Sequence, residues 1–134
     1  MIMVDGLDPE YLSMCPAPRL EELAKAGSRS NVRGLMPSVT NVNNVSLVTG
    51  SYPENHGITS NYWLDRDRDS EHYMESAEYI KSETMFQRAD GLGMRSLLVT
   101  AKDKLRRLLS TCTTVSVSSE QPPAWVVDGV GTPP

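Results

Sequence analysis

Between Pro37 and Asn61, in PSVTNVNNVSLVTGSYPENHGITSN, valines recur every third residue at 42, 45 and 48. The spacing predicts a short helix with one apolar face, closed by Gly50. Its other residues are mostly Asn, Ser and Thr, each costing up to ~0.7 kcal/mol relative to Ala in a helix. Such a helix does not form alone; it needs its valine face packed against other elements. The chain must therefore build a core around this stretch. Its 134 residues suffice for one domain, which would bury roughly two-thirds of its unfolded surface. With 39% hydrophobic and 22% charged residues, the composition is that of a globular protein.

The surrounding pattern is α/β. Met1 to Val4 is a short β-type apolar run ending on Asp5-Gly6, the way parallel sheets place a carboxylate at their carboxyl edge. Arg19 to Gly27 follows two prolines and carries Leu20, Leu23 and Ala24 at helical spacing, which predicts a packing helix. Ser30 to Leu35 is the next expected strand. Residues 62–82 form a polar excursion, with Asp65-Arg66-Asp67-Arg68-Asp69 as a loop or hairpin tip and Glu71 to Met74 as a return strand. Ser82 or Glu83 is expected to cap a helix through Met85, Phe86 and Ala89. Arg95 to Thr100 reads as a buried strand, Asp103 as the cap of a helix with Leu105, Leu108 and Leu109 on one face, and Thr113 to Ser118 as a further strand. Pro122 to Val127 reads as a short helix, and residues 129–134 close no element. Strands alternating with helices predict a largely parallel sheet.

Several function classes are excluded. A net charge of −4 offers no basic footprint for nucleic acid. No apolar run approaches the ~20 residues of a membrane span, and no basic segment with an apolar core opens the chain as a secretory signal would. Cys15 and Cys112 fit no metal spacing or CxxC motif, so they read as reduced thiols of a cytoplasmic protein.

The residues with chemical potential each allow two readings. Thr40 either caps the valine helix, as Ser38 also can, or serves as a nucleophile where helical N–H groups hold a phosphoryl group. Asn61 either belongs to turn chemistry or returns to the same place. Asp5 is a metal ligand or a cap. His56, in Pro-Glu-Asn-His-Gly, is a structural turn residue or a general base, and His72 reads as solvated surface in the charged loop. Lys102 and Lys104 either belong to a solvated face or, if the segment is extended, project to one side and converge on an anion.

Taken in order, Val4-Asp5-Gly6, Pro37-Ser38-Val39-Thr40-Asn41-Val42-Asn43-Asn44, Val48-Thr49-Gly50, His56-Gly57-Ile58 and Asn61 resemble the alkaline phosphatase superfamily. Within it they resemble the nucleotide pyrophosphatase/phosphodiesterase branch. Thr100-Ala101-Lys102-Asp103-Lys104-Leu105 adds a likeness to the phosphonoacetate hydrolases. The resemblance implies an alkaline phosphatase-like core, with this chain as the N-terminal part of a single catalytic domain. It implies Thr40 as nucleophile and zinc contact, Asp5 as zinc ligand, Asn61 as donor to a phosphoryl oxygen, and Lys102 and Lys104 as holders of a substrate carboxylate.

The implied reaction is zinc-dependent hydrolysis of the P–C bond of phosphonoacetate, a small-molecule phosphonate, through a phosphothreonine. The relatives use two Zn2+ ions and take further Asp and His ligands from Asp-x-x-x-His and Asp-His motifs that this sequence lacks. An incomplete site is therefore expected here, and a homodimer in full-length relatives. A phosphodiesterase or nucleotide pyrophosphatase, with Tyr62 or Trp63 stacking on a base, is the alternative within the class. A non-catalytic remnant is the alternative outside it.

Overall fold

The computed structural model describes residues 1–127, so the reading of residues 129–134 lies outside the described part. The chain divides into two compact units, Met1–Leu35 and the chain from Met36 onward. No described helix is long and apolar enough to cross a membrane.

The first unit holds α1 (Tyr11–Met14) and α2 (Pro18–Ala26). Pro18 starts α2 and Gly27 ends it, its N–H bonded to the Leu23 carbonyl at 2.9 Å. The apolar stripe is not a packing face here: Leu20 and Leu23 are 49% and 67% exposed. The strands expected at Met1–Val4 and Ser30–Leu35 do not form. A strand exists by pairing, and neither segment finds a ladder partner among the described residues.

The second unit contains the core. Its first helix, α3 (Thr40–Thr49), buries Val42, Val45 and Val48 as the spacing predicts, together with Asn41. Burial of each valine contributes roughly 1.5–3 kcal/mol, which outweighs the poor propensity of its neighbours. Gly50, at φ 62°, ends α3 in the left-handed conformation. A short α4 (Pro53–His56) follows, and α3 packs on it and on α5 (Met85–Gly91). The cap of α5 is Thr84, two residues beyond the expected Ser82 and one beyond Glu83. Thr84 and Gln87 form a reciprocal capping box, which satisfies two backbone donors where either predicted residue would satisfy one.

Gly57 is held at φ 83°, and a Cβ there would stand 2.9 Å from the Tyr79 carbonyl oxygen. Gly57→Ala is therefore expected to lower stability by about 1–3 kcal/mol, read as a drop in the denaturant midpoint.

Strands β1 (Tyr62–Asp65) and β2 (Ser70–Tyr73) pair as an antiparallel hairpin. Asp65 Oδ1 accepts the Asp67 and Arg68 N–H groups at 3.1 and 3.3 Å, closing the charged turn. His72 is not solvated surface. It stacks on Trp63 across the ladder at 5.1 Å, and its Nε2 lies at hydrogen-bond distance, 2.9 Å, from Ser70 Oγ.

Strands β3 (Leu97–Thr100) and β4 (Val115–Ser118) run parallel, in register from Leu97↔Val115 to Thr100↔Ser118. The helix between them, α6 (Asp103–Leu109), packs on both and buries Leu108 and Leu109. Only Leu98 of β3 is buried; Leu97 and Val99 are exposed, so this strand is covered on one face alone. Last comes α7 (Ala124–Val127). The class is α/β, with one parallel and one antiparallel strand pair among the described residues.

Candidate active site at the start of helix α3

Thr40 is the first residue of α3, half-buried, and does not cap it. The cap position belongs to Val39, whose side chain has no acceptor. A helix start needs its first N–H groups satisfied, and here one acceptor arrives from twenty residues away. Asn61 Oδ1 accepts the Asn41 N–H at 3.1 Å. The loop after α4 thus brings Asn61 to the residue next to Thr40. Because Oδ1 faces an N–H, the carboxamide's Nδ2 is turned the other way, where it donates to no described group.

The loop is held from both sides. Asn61's own carbonyl accepts the Met74 N–H at 2.8 Å, and the buried Asn41 donates its Nδ2 to the Met74 carbonyl at 2.7 Å. Asn41 Oδ1 and Trp63 Nε1 are buried with no hydrogen-bond partner among the described residues. Asn41 and Met74 were not singled out from the sequence, since nothing local announces a bond between residues 33 apart in the chain.

His56 is fully buried and structural. Its Nδ1 accepts the Ile58 N–H at 3.1 Å, which leaves the proton on Nε2 to be donated to Ser46 Oγ at 2.8 Å. Ser46 in turn donates to the Val42 carbonyl at 2.7 Å. The imidazole thereby ties α4 to α3 in its neutral form. Burial holds it below its ordinary value of 6.5, against an opposing hydrogen bond. The unfolded chain binds a proton as the pH falls through that value while the folded chain does not. Stability is thus full above it, declines as the pH falls, and levels off below the lowered native value. Denaturant midpoints measured from about pH 8 to about pH 5 should show this decline, and His56→Gln should flatten it.

Lys102 and Lys104 straddle a boundary. Lys102 is extended, at φ −104° and ψ 132°, and exposed, whereas Lys104 is already helical and half-buried. They are therefore not a pair on one extended segment. Thr100 Oγ1 donates to the Lys102 carbonyl and Ser119 Oγ to the Ala101 carbonyl, both at 2.9 Å, which fixes the backbone between β3 and α6. Neither ammonium makes an ion pair among the described residues.

Asp103 is not the cap but the first helical residue; Glu120 caps instead, accepting the Asp103 N–H at 2.7 Å. The Asp103 carboxylate accepts from Arg106 Nε at 2.6 Å and Ser118 Oγ at 3.0 Å. The Arg106 hydrogen bond, then those of Ser118 and the charges of Arg106 and Arg107, hold its carboxyl below the usual carboxylate range.

The sequence matches the family described as type I phosphodiesterase / nucleotide pyrophosphatase over residues 1–123. The chain belongs to that family. Phosphonoacetate hydrolase from Sinorhizobium meliloti, solved with phosphonoacetate, is 30% identical with a TM-score of 0.73, covering 97% of this chain and 37% of that one. Among family relatives, a bis(5'-adenosyl)-triphosphatase of Xenopus laevis is 38% identical over 50% of this chain and 15% of its own length. Ectonucleotide pyrophosphatase/phosphodiesterase family member 1 of Homo sapiens is 32% identical over 72% of this chain and 11% of its own. The chain thus spans a minor part of the length of these family members, with the alkaline phosphatase-like fold of the solved neighbour.

Asp5 sits in an exposed turn of the first unit, with Gly6 at φ 74°, while Thr40 belongs to the second. Among the described residues no three His, Cys, Asp or Glu side chains are grouped to hold a metal. A zinc ion takes about four donors. The described residues of this family member do not fit a zinc site by themselves.

Proposed function

We propose that this chain carries the nucleophile side of a phosphonoacetate hydrolase site. The observation that carries the reading is the Asn61 carboxamide, anchored through Oδ1 at the residue beside Thr40 with Nδ2 left to donate. Thr40 Oγ1 attacks the phosphorus of phosphonoacetate and loses its proton, while the P–C bond breaks. The electron pair of that bond delocalises into the neighbouring carboxylate and then takes a proton, giving acetate. Water releases phosphate from the phosphothreonine and restores the hydroxyl. Asn61 Nδ2 donates to a non-bridging phosphoryl oxygen as charge gathers there. Lys102 and Lys104 face the carboxylate, where charge grows during the step, so their attraction lowers the barrier more than it tightens binding. The assignment of Zn2+ to Asp5 and Thr40 rests on the family resemblance, and further ligands would have to come from outside the described residues.

The likeness to a hydrolase solved with phosphonoacetate supports the phosphonate reading. A second reading, nucleotide pyrophosphatase or phosphodiesterase, is favoured by the curated relatives and by Tyr62. That ring is 45% exposed beside Asn61 and packs on Tyr73 at 4.3 Å, an aromatic platform for a base. Trp63 is less suited, since its indole N–H is buried and its ring stacks on His72. Cytoplasmic placement remains our reading of the two unpaired, exposed thiols Cys15 and Cys112.

The test is a chimaera in which this chain replaces the matched 37% of the S. meliloti enzyme. Given phosphonoacetate, phosphonopyruvate and a nitrophenyl nucleotide ester, it should prefer phosphonoacetate. Lys102→Ala should then cost about 10–100-fold on phosphonoacetate, the worth of a hydrogen bond to a charged group, and leave the ester unaffected. Equal losses on all three would remove the carboxylate role. Zinc content and turnover of the chain alone address the non-catalytic alternative: tightly bound zinc with turnover would rule it out.

A further inference from the structure

We propose that Asn41 is the positioning residue for the Asn61 carboxamide, an inference that rests on the reading of Asn61 as donor to a phosphoryl oxygen. An asparagine carboxamide turns freely about its last torsion, which has broad minima. Asn61 is tied to Asn41 directly at its side chain and through Met74 at its main chain. Its Oδ1 accepts the Asn41 N–H at 3.1 Å, and its main-chain carbonyl accepts the Met74 N–H at 2.8 Å. Met74 in turn is held by the Asn41 side chain, Nδ2 to carbonyl, at 2.7 Å. The three bonds close a ring through one residue, and that residue follows Thr40 directly in the chain.

The second observation concerns what Asn41 lacks. It is 1% exposed, yet its Oδ1 has no hydrogen-bond partner among the described residues. A buried acceptor without a donor costs folding free energy, and that cost offsets the gain from the single Nδ2 bond. A leucine of similar size would remove that orphaned acceptor but leave the Met74 carbonyl without its Nδ2 donor, one unsatisfied group in exchange for another. Stability alone therefore does not call for an asparagine here. Holding Met74, and through it Asn61, at a fixed place relative to Thr40 does.

The test uses the 15N,13C-labelled chain in solution. A scalar coupling across the hydrogen bond from the Asn41 amide nitrogen to the Asn61 Cγ is expected in the unmodified protein, and its absence would overturn the proposal without any variant. Asn41→Leu should melt within about 3 °C of the unmodified chain, a shift of well under 1 kcal/mol at this size. In the same variant the coupling from the residue-41 amide nitrogen to the Asn61 Cγ should be lost, because Asn61 is no longer held through Met74. Should Asn41→Leu not fold, Asn41→Ala removes the Nδ2 donor without adding a charge and should abolish the same coupling. An unchanged coupling in a folded variant would show that the Asn41 side chain does not position it. Phosphonoacetate turnover is read separately: its absence counts against the proposed function and leaves the result on positioning intact.

Discussion

Thr40→Ala, introduced into the chimaera, is expected to lower phosphonoacetate turnover by about four orders of magnitude or more, as losses of a covalent nucleophile do. The cap position of α3 is Val39, and Asn61 accepts the Asn41 N–H there. The variant should still fold, alanine being the better helix former, and a melting curve checks this. Thr40→Ser, which keeps a hydroxyl, should retain most of the lost rate. A Thr40→Ala protein that still turned over phosphonoacetate would place the nucleophile elsewhere.

Asn61→Ala is expected to lose about 10²–10³-fold in turnover, the usual worth of one donor to a developing oxyanion. The same change removes the acceptor for the Asn41 N–H at 3.1 Å, at a cost of about 0.5–2 kcal/mol in stability, as for other helix caps. The two effects separate in Asn61→Asp. A carboxylate still accepts from the helix N–H, and the positive end of α3 favours it, so stability should hold. Having no N–H to donate, Asp should lose as much turnover as Ala, measured by steady-state kinetics beside a denaturation curve. Full turnover in Asn61→Asp would leave Asn61 as a helix cap alone.

These two side chains also mark how far the sequence could be read. The valine face of α3 and the stop at Gly50 were legible because helical period and the left-handed cap are local signals. So was the hairpin after Asn61, with its charged turn. Thr84 was missed by one or two positions because Ser82, Glu83 and Thr84 stand together. Gln87, three residues after Thr84, was the signal that distinguishes them.

The network around Asn61 was not legible. Bonds from residue 41 to residues 61 and 74 depend on how the loop and hairpin fold back, which no spacing encodes. The expected strands at Met1–Val4 and Ser30–Leu35 failed for a related reason. An apolar run states a preference, but a strand needs a partner, and none of the described residues provides one. Lys102 and Lys104 follow a strand as expected, yet the helix begins between them, so they do not lie on one extended segment.

The most direct measurement concerns Thr40 itself. The chimaera is mixed with phosphonoacetate, quenched in acid during turnover, digested and analysed by mass spectrometry. The expected result is one phosphoryl group on the peptide containing Thr40, localised to that residue and absent from Thr40→Ala. Steady release of acetate and phosphate with no phosphothreonine at any quench time, or with the phosphoryl group on another residue, would contradict it.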